Sequence, residues 1–225
     1  MEYTVQVRMN DKLFLRDPEQ SELGRRIIRQ GILLINEIGF EETTFRKLAE
    51  RMGTKEASIY RYFENKHRLL VYLVAWYWQW LDFQVLFETN NITDPREKLE
   101  RVLLVLLQTN VSSPSSPDDM DLSALHNIVI CEASKAYLTR HVTEDNRQQL
   151  FKPYKDLTAR IARLILEYRP DYQFARSRAS SIIETAHYQS FFMRYLPSLT
   201  DLTDNGKNAT LLDFLRHLLF SSLDK

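Results

Sequence analysis

The sequence predicts an all-α protein, on three observations. Apolar residues recur at helical spacing through most of its length, only 5 glycines interrupt 225 residues, and Thr43 to Lys66 reads as two short helices joined by a tight turn. The layout that follows is an N-terminal arm at 1–16, a three-helix helix-turn-helix domain at 17–68, and a larger helical domain at 69–225.

In the arm, Tyr3, Val5, Val7 and Met9 alternate with polar residues, as in an extended segment. Arg8, Lys12 and Arg16 suit an arm that follows phosphates; a terminus packed on the first helix fits equally. Asp17-Pro18-Glu19-Gln20 is a helix start, with Asp17 as cap, Pro18 in the first turn and Gln20 reaching back. Leu23, Ile27, Ile28, Ile32 and Ile35 continue that helix to a stop near Gly39, with Arg25, Arg26 and Arg29 off the stripe. Thr44 caps a helix from Phe45 to Met52, and a short helix from Glu56 to Phe63 follows. Asn65 opens a long helix from Lys66 to about Phe87, apolar on nearly every side and therefore buried on more than one face. Asp94-Pro95 opens a helix to about Thr109, and Ser112 to Pro117 is a surface loop. Further helices are expected at Asp121–Leu138, at Thr143–Tyr168 with an interruption at Pro153, at Tyr172–Tyr195 and at Asn208–Leu223.

Within Thr43 to Lys66, Ala49 leaves room for a crossing helix, and Gly53 suits the left-handed position that ends the first one. Ile59, with Leu48, Met52 and Phe63, forms the apolar wedge between them. Helices so arranged place the second in the DNA major groove, which makes duplex DNA the expected partner. The 30 basic and 30 acidic residues cancel, so any affinity for DNA comes from a local patch. The single Cys131 allows no intrachain disulfide and fits a reducing cytoplasm. The run Leu69 to Leu81 is too short for a bilayer, and the N-terminus lacks a signal-peptide pattern; no membrane partner is expected.

The order Gly39-Phe40, Thr43-Thr44, Leu48-Ala49, Gly53, Ile59-Tyr60-x-Tyr62-Phe63 and Asn65-Lys66 before Leu69-Leu70 resembles the DNA-binding domain of the TetR (tetracycline-repressor-like) family of bacterial regulators. The likeness spans about Gly24 to Leu73. It implies phosphate contacts from Thr44, Ser58, Tyr60, Tyr62 and Lys66, and base contacts from Arg46, Glu56 and Ala57. Side-chain chemistry agrees: hydroxyls, Tyr and Lys fix register on phosphates, while an arginine bridges guanine O6 and N7. The two tyrosines would serve equally as packing against the first helix. Lys55 joins the DNA-facing set but stands where the family often has a helix cap, and Glu56 brings a carboxylate toward a polyanion, either reading a cytosine or rejecting wrong sequences. The resemblance also implies a homodimer through the last two helices and a ligand cavity among the middle ones.

Ala175, Ala179, Ile182, Ala186 and Met193 on one helix, with Leu211, Leu215 and Leu218 on the next, suit such a dimer interface; the other reading completes the core of one chain. The aromatic surplus Trp76, Tyr77, Trp80, Phe83 and Phe87, with His126, Cys131 and Tyr154, suits an effector pocket, or simply a core. Catalysis finds no support. Glu64-x-x-His67 and Glu184-x-x-His187 have di-iron spacing but fall in elements that cannot share a core, and no nucleophile or phosphate-loop motif occurs. No metal or cofactor is expected. The sequence thus reads as a homodimeric regulator of transcription, a repressor released from a palindromic operator when a small molecule shifts the Leu69–Phe87 helix. An activator, a ligand-independent regulator and a helical protein-interaction module are the alternatives.

Overall fold

In the computed structural model, residues 9–107, 120–140, 142–203 and 208–224 are described; among them the regular structure is helical, with no strand. The helices are α1 (Glu22–Glu42), α2 (Phe45–Met52), α3 (Glu56–Tyr60), α4 (Lys66–Thr89), α5 (Pro95–Leu106), α6 (Leu122–Tyr137), α7 (Val142–Arg147), α8 (Lys152–Tyr168), α9 (Ala175–Tyr195) and α10 (Ala209–Phe220). No helix among the described residues is long and apolar enough to cross a membrane. The alternating residues 3–7 and the loop at 112–117 lie outside the described residues.

The chain forms two compact units, Met1–Trp78 with Pro114–Pro153, and Gln79–Ser113 with Tyr154–Lys225. In the first unit α1 packs against α6, and Arg68 of α4 pairs with Asp145 of α7 at 2.9 Å. The expected start at Asp17 is a separate 3-10 turn, Pro18–Gln20, capped by Asp17; α1 begins only after an extended Ser21, whose hydroxyl accepts from Gly24 N at 3.1 Å. The turn folds back so tightly that a Cβ on Gly24 would lie 2.2 Å from the Pro18 carbonyl oxygen. Residues 9–16 also pack on this unit: Leu13 is buried, and Leu15 N donates to Tyr62 O at 2.8 Å.

Gly39, at φ 79 and ψ 162, breaks α1 close to the expected stop. The Phe40 N–H freed there donates to Glu132 Oε1 of α6 at 3.0 Å, and Lys135 Nζ pairs with Glu132 Oε2 at 2.7 Å. Gly53 takes the expected left-handed conformation, φ 61 and ψ 37, and ends α2. Ile59, Leu48 and Phe63 are wholly buried beside Ile27, Ile28 and Ile32 of α1, so the apolar wedge closes the three-helix corner.

Two boundaries move for local reasons. Pro153 does not interrupt a helix but sits in the first turn of α8, where its missing N–H removes no helical bond. The break lies upstream, at Gln149, which has φ 61. Asn208, at φ 49, likewise starts α10 from a left-handed position.

The second unit packs α10 against α9 and α5. Arg178 donates to Leu218 O at 2.9 Å and Ser222 Oγ at 2.6 Å, and Arg169 to the carbonyls of Ser222 and Leu223. Two guanidinium groups thereby stand at the negative end of α10, one on a last-turn carbonyl and one on carbonyls just beyond the helix. The expected dimer residues Ala175, Ala179, Ile182, Ala186, Leu211 and Leu215 are all buried within one chain. Their small and branched side chains suit the close approach of α9 and α10 within the chain, the second of the two readings. Met193 and Leu218 are half-buried.

Two outcomes follow for stability. In urea unfolding, Gly24→Ala is expected to cost more than Gly53→Ala: the first meets backbone, about 1–3 kcal/mol by overpacking, and the second faces open space and loses roughly 1 kcal/mol of backbone preference. Glu132→Ala, which leaves the buried Phe40 N–H without an acceptor, is expected to cost about 1–3 kcal/mol in the same measurement.

Candidate nucleic-acid interface

The α2–α3 corner is set by local chemistry. Thr44 Oγ1 accepts from Lys47 N at 3.2 Å, which caps α2. At its other end, Arg26 Nη2 of α1 donates to Met52 O at 2.9 Å. Arg25 donates to Glu19 O at 2.7 Å. Arg26 thus ties α1 to the end of α2, and Arg25 ties it to the turn before α1.

On α3, Ile59 points inward and its neighbours point out. Lys55 occupies the cap position without a side-chain cap bond; Ala57 is exposed, and Glu56 and Ser58 are half-exposed. The Glu56 carboxylate stands in the first turn of the helix, where the dipole favours it. Tyr60 is 47% exposed, its ring held edge-on to Phe45 with centroids 5.0 Å apart. That contact fixes the ring and leaves one side of it to solvent. Arg46 is strongly exposed on α2 and pairs with Glu50 at 3.0 Å. An exposed i,i+4 pair contributes only about 0.3–0.5 kcal/mol, so the guanidinium is readily exchanged to another acceptor.

Two of the residues expected on phosphates have partners within the chain. Tyr62 is 2% exposed, and its hydroxyl shares a 2.8 Å hydrogen bond with Ser21 Oγ at the start of α1. Helix α3 ends at Tyr60, so Tyr62 follows a turn and faces inward rather than sharing the ridge. Lys66 Nζ donates to Phe40 O at 3.0 Å and Glu41 O at 2.8 Å, with its charge 4.7 Å from the Phe40 ring centroid. Its ammonium is committed to the carbonyls at the α1 break.

The structure adds cations that the motif did not mark. Arg61, next to Tyr60, is exposed, and Arg16 lies over the Tyr62 ring at 5.5 Å. The sequence signal for Arg61 was its place between two tyrosines at the end of α3. Arg16, expected in the arm as a cation suited to phosphates, is brought over Tyr62 by tertiary folding.

The expected effector residues fall into two groups. In the first unit, Trp76 and Tyr77 are buried, Tyr77 Oη lies 2.6 Å from His126 Nδ1, and Cys131 is half-buried on α6. In the second, Trp80 stacks on Phe83 at 5.9 Å and Phe83 on Phe87 at 6.2 Å, while Tyr154 Oη donates to Glu184 Oε1. Phe87 is half-exposed.

Residues 27–73 match the family model described as bacterial regulatory proteins, tetR family. The tetracycline repressor protein class A from transposon 1721 of Escherichia coli is 46% identical over 44 residues, which cover 20% of this chain and 20% of that repressor. Among solved structures, a TetR-family transcriptional regulator from Syntrophomonas wolfei superposes with a TM-score of 0.61 at 16% identity, covering 87% of this chain and 93% of that one. AibR in complex with isovaleryl coenzyme A and operator DNA superposes at 0.59 and 18% identity, over 87% and 97% of the two chains. At such identities these structures establish a shared fold. The likeness to the tetR family of bacterial regulatory proteins is thus carried in sequence by residues 27–73, the stretch that holds α2, α3 and the turn between them.

Proposed function

We propose that the protein is a sequence-specific DNA-binding regulator of transcription, a cytoplasmic homodimer that represses from a palindromic operator and is released by a small molecule. The observation that carries the reading is the α3 ridge: Ile59 and Phe63 anchor it from beneath, while Lys55, Ala57, Tyr60 and Arg61 stand accessible above, with Arg46 exposed on the adjoining helix. In this role Thr44, Ser58, Tyr60, Lys55 and Arg61 position the corner on phosphates, and Arg46, Glu56 and Ala57 face base edges. In this reading residues 17–68 form the DNA-reading domain and 69–225 the effector and dimer domain, with 1–16 as an arm. No catalytic residue or cofactor enters this reading. AibR, of the same fold, was captured with both an acyl-coenzyme A and operator DNA, which favours one chain serving both partners.

The surface between two chains is assigned to the aromatic end of α9 and the residues after it. Tyr188 stacks on Phe192 at 6.2 Å, Phe191 lies 5.0 Å from Tyr195, and Tyr188, Tyr195, Leu196 and Leu199 are exposed. Exposed apolar side chains grouped in this way favour burial against a second copy. Release follows if effector binding changes the separation of the two α3 helices, because operator half-sites fit one separation only.

Selection of binding sites from random duplexes tests the DNA reading. A preferred palindrome is expected; salt-independent or sequence-blind binding would sink it. On that site Arg46→Ala should relax base preference by about 1–3 kcal/mol at one position. Lys55→Ala should weaken all sequences alike and flatten the salt slope by about one unit. For the dimer, Tyr188→Glu with Tyr195→Glu should convert a sedimenting dimer to folded monomer; an unchanged dimer would move the interface elsewhere.

A further inference from the structure

Gln84 of α4 lies within the second unit, 1% exposed, and neither its Oε1 nor its Nε2 has a hydrogen-bond partner. Its neighbours are satisfied. The Thr89 hydroxyl donates to Val85 O at 2.6 Å, and the Asp82 carboxylate accepts from Arg160 Nε and Nη2 at 2.5 and 2.8 Å. Buried amides are almost always bonded, because leaving donor and acceptor unmatched forfeits the hydration both had in water. Leucine or methionine would fill the same space without that cost. On the helix, Gln84 shares a face with Trp80, four residues before, and Phe87, three after. Phe83 stacks between those two rings, so the amide stands beside an aromatic wall.

We propose that Gln84 is the polar anchor of a small-molecule site in the second unit, and that its ligand is an uncharged molecule carrying a donor and an acceptor side by side, such as a primary carboxamide, on an apolar body. The inference rests on the effector-release reading and names the chemistry of the effector. A carboxamide side chain offers an acceptor oxygen and two N–H donors, so a group that donates and accepts answers both unmatched atoms. Among the described residues no Lys or Arg side chain is buried, and Arg160 is held by Asp82, which favours an uncharged ligand. A charged head group drawn in beside Gln84 would lose its hydration without gaining a counter-ion. The body of the ligand is apolar because the wall it meets is Trp80 and Phe83.

The test uses the full chain with octanamide as probe and octanoate and octylammonium as charged matches, read by intrinsic tryptophan fluorescence and thermal midpoint. Octanamide is expected to give a saturable signal and raise the midpoint, and the two ions to do neither at equal concentration. Gln84→Met and Gln84→Leu, two apolar replacements of different shape, should fold with unchanged or higher midpoint and bind octanamide about tenfold or more weakly. Equal affinity in a folded variant, octanoate binding as tightly, or no saturable response to octanamide overturns the proposal, as does a crystal grown with octanamide that holds only a water at Gln84. Operator binding separates the two ideas. Octanamide bound through Gln84 without loss of operator affinity would keep the anchor and refute release, whereas release that persists in both variants would keep release and refute the anchor.

Discussion

The break of α1 at Gly39 sets the terms for the first unit. A residue at φ 79 and ψ 162 occupies backbone space that only glycine enters without strain, and it strips the next peptide of its helical partners. The freed groups are met from two other helices. Glu132 of α6 accepts from Phe40 N, and Lys66 at the start of α4 donates to Phe40 O and Glu41 O. Lys135 then bridges Glu132 at 2.7 Å and Glu41 at 3.1 Å. The Phe40 ring lies 4.7 Å from one ammonium and 5.9 Å from the other. A buried carboxylate is tolerated only when it is paired and hydrogen-bonded, and here both conditions are met by groups around one glycine. Helices α1, α4 and α6 are tied at that point, so the base from which α2 and α3 project is fixed by it.

What was legible in the sequence was what depends on near neighbours. Thr44 caps α2 because a hydroxyl three residues ahead of Lys47 N reaches it in any helix start, and Gly53 ends α2 because the turn needs a left-handed residue. Tyr60 and Tyr62 could not be told apart in this way. Helical periodicity stops at Tyr60, and the direction of Tyr62 is decided by Ser21, 41 residues away. The same limit applies to α9. A stripe of alanines at helical spacing permits close approach, but the pattern does not say whether the approaching helix is α10 of the same chain or a helix of another. Ala179 and Ala186 are buried in the single chain, where α9 packs against α10. At Pro153 the residue type was read correctly as a helix boundary and its sense wrongly, since proline starts a helix as readily as it breaks one.

A chain of zero net charge can still present a basic ridge, because exposed charges separated by more than about 10 Å are largely screened at ordinary ionic strength. Only the local balance counts. Around α3 that balance is Lys55 and Arg61 against Glu56, with Arg46 answered by Glu50. Those partners are exposed and their pairing weak, so an approaching polyanion competes with them at little cost. Lys66 and Arg26 differ in kind: each donates to backbone carbonyls at a helix break or end, and drawing either cation to a phosphate gives up those bonds. The interface is thus divided by the alternatives open to each cation rather than by how many there are.

The same criterion separates the buried polar groups. Glu132 lies in the interior with a peptide N–H on one oxygen and the Lys135 ammonium 2.7 Å from the other. Tyr72 is kept far above the ordinary phenol range by its burial and by the Glu19 carboxylate, so it remains a donor to Glu19 Oε1 at 3.1 Å. Both are explained by the contacts they make. Gln84 is neutral, less costly to bury than either, and matched on neither atom. A side chain whose burial is not explained by its contacts within the folded chain calls for a contact made outside it, and the donor-and-acceptor character of the amide narrows what that contact is.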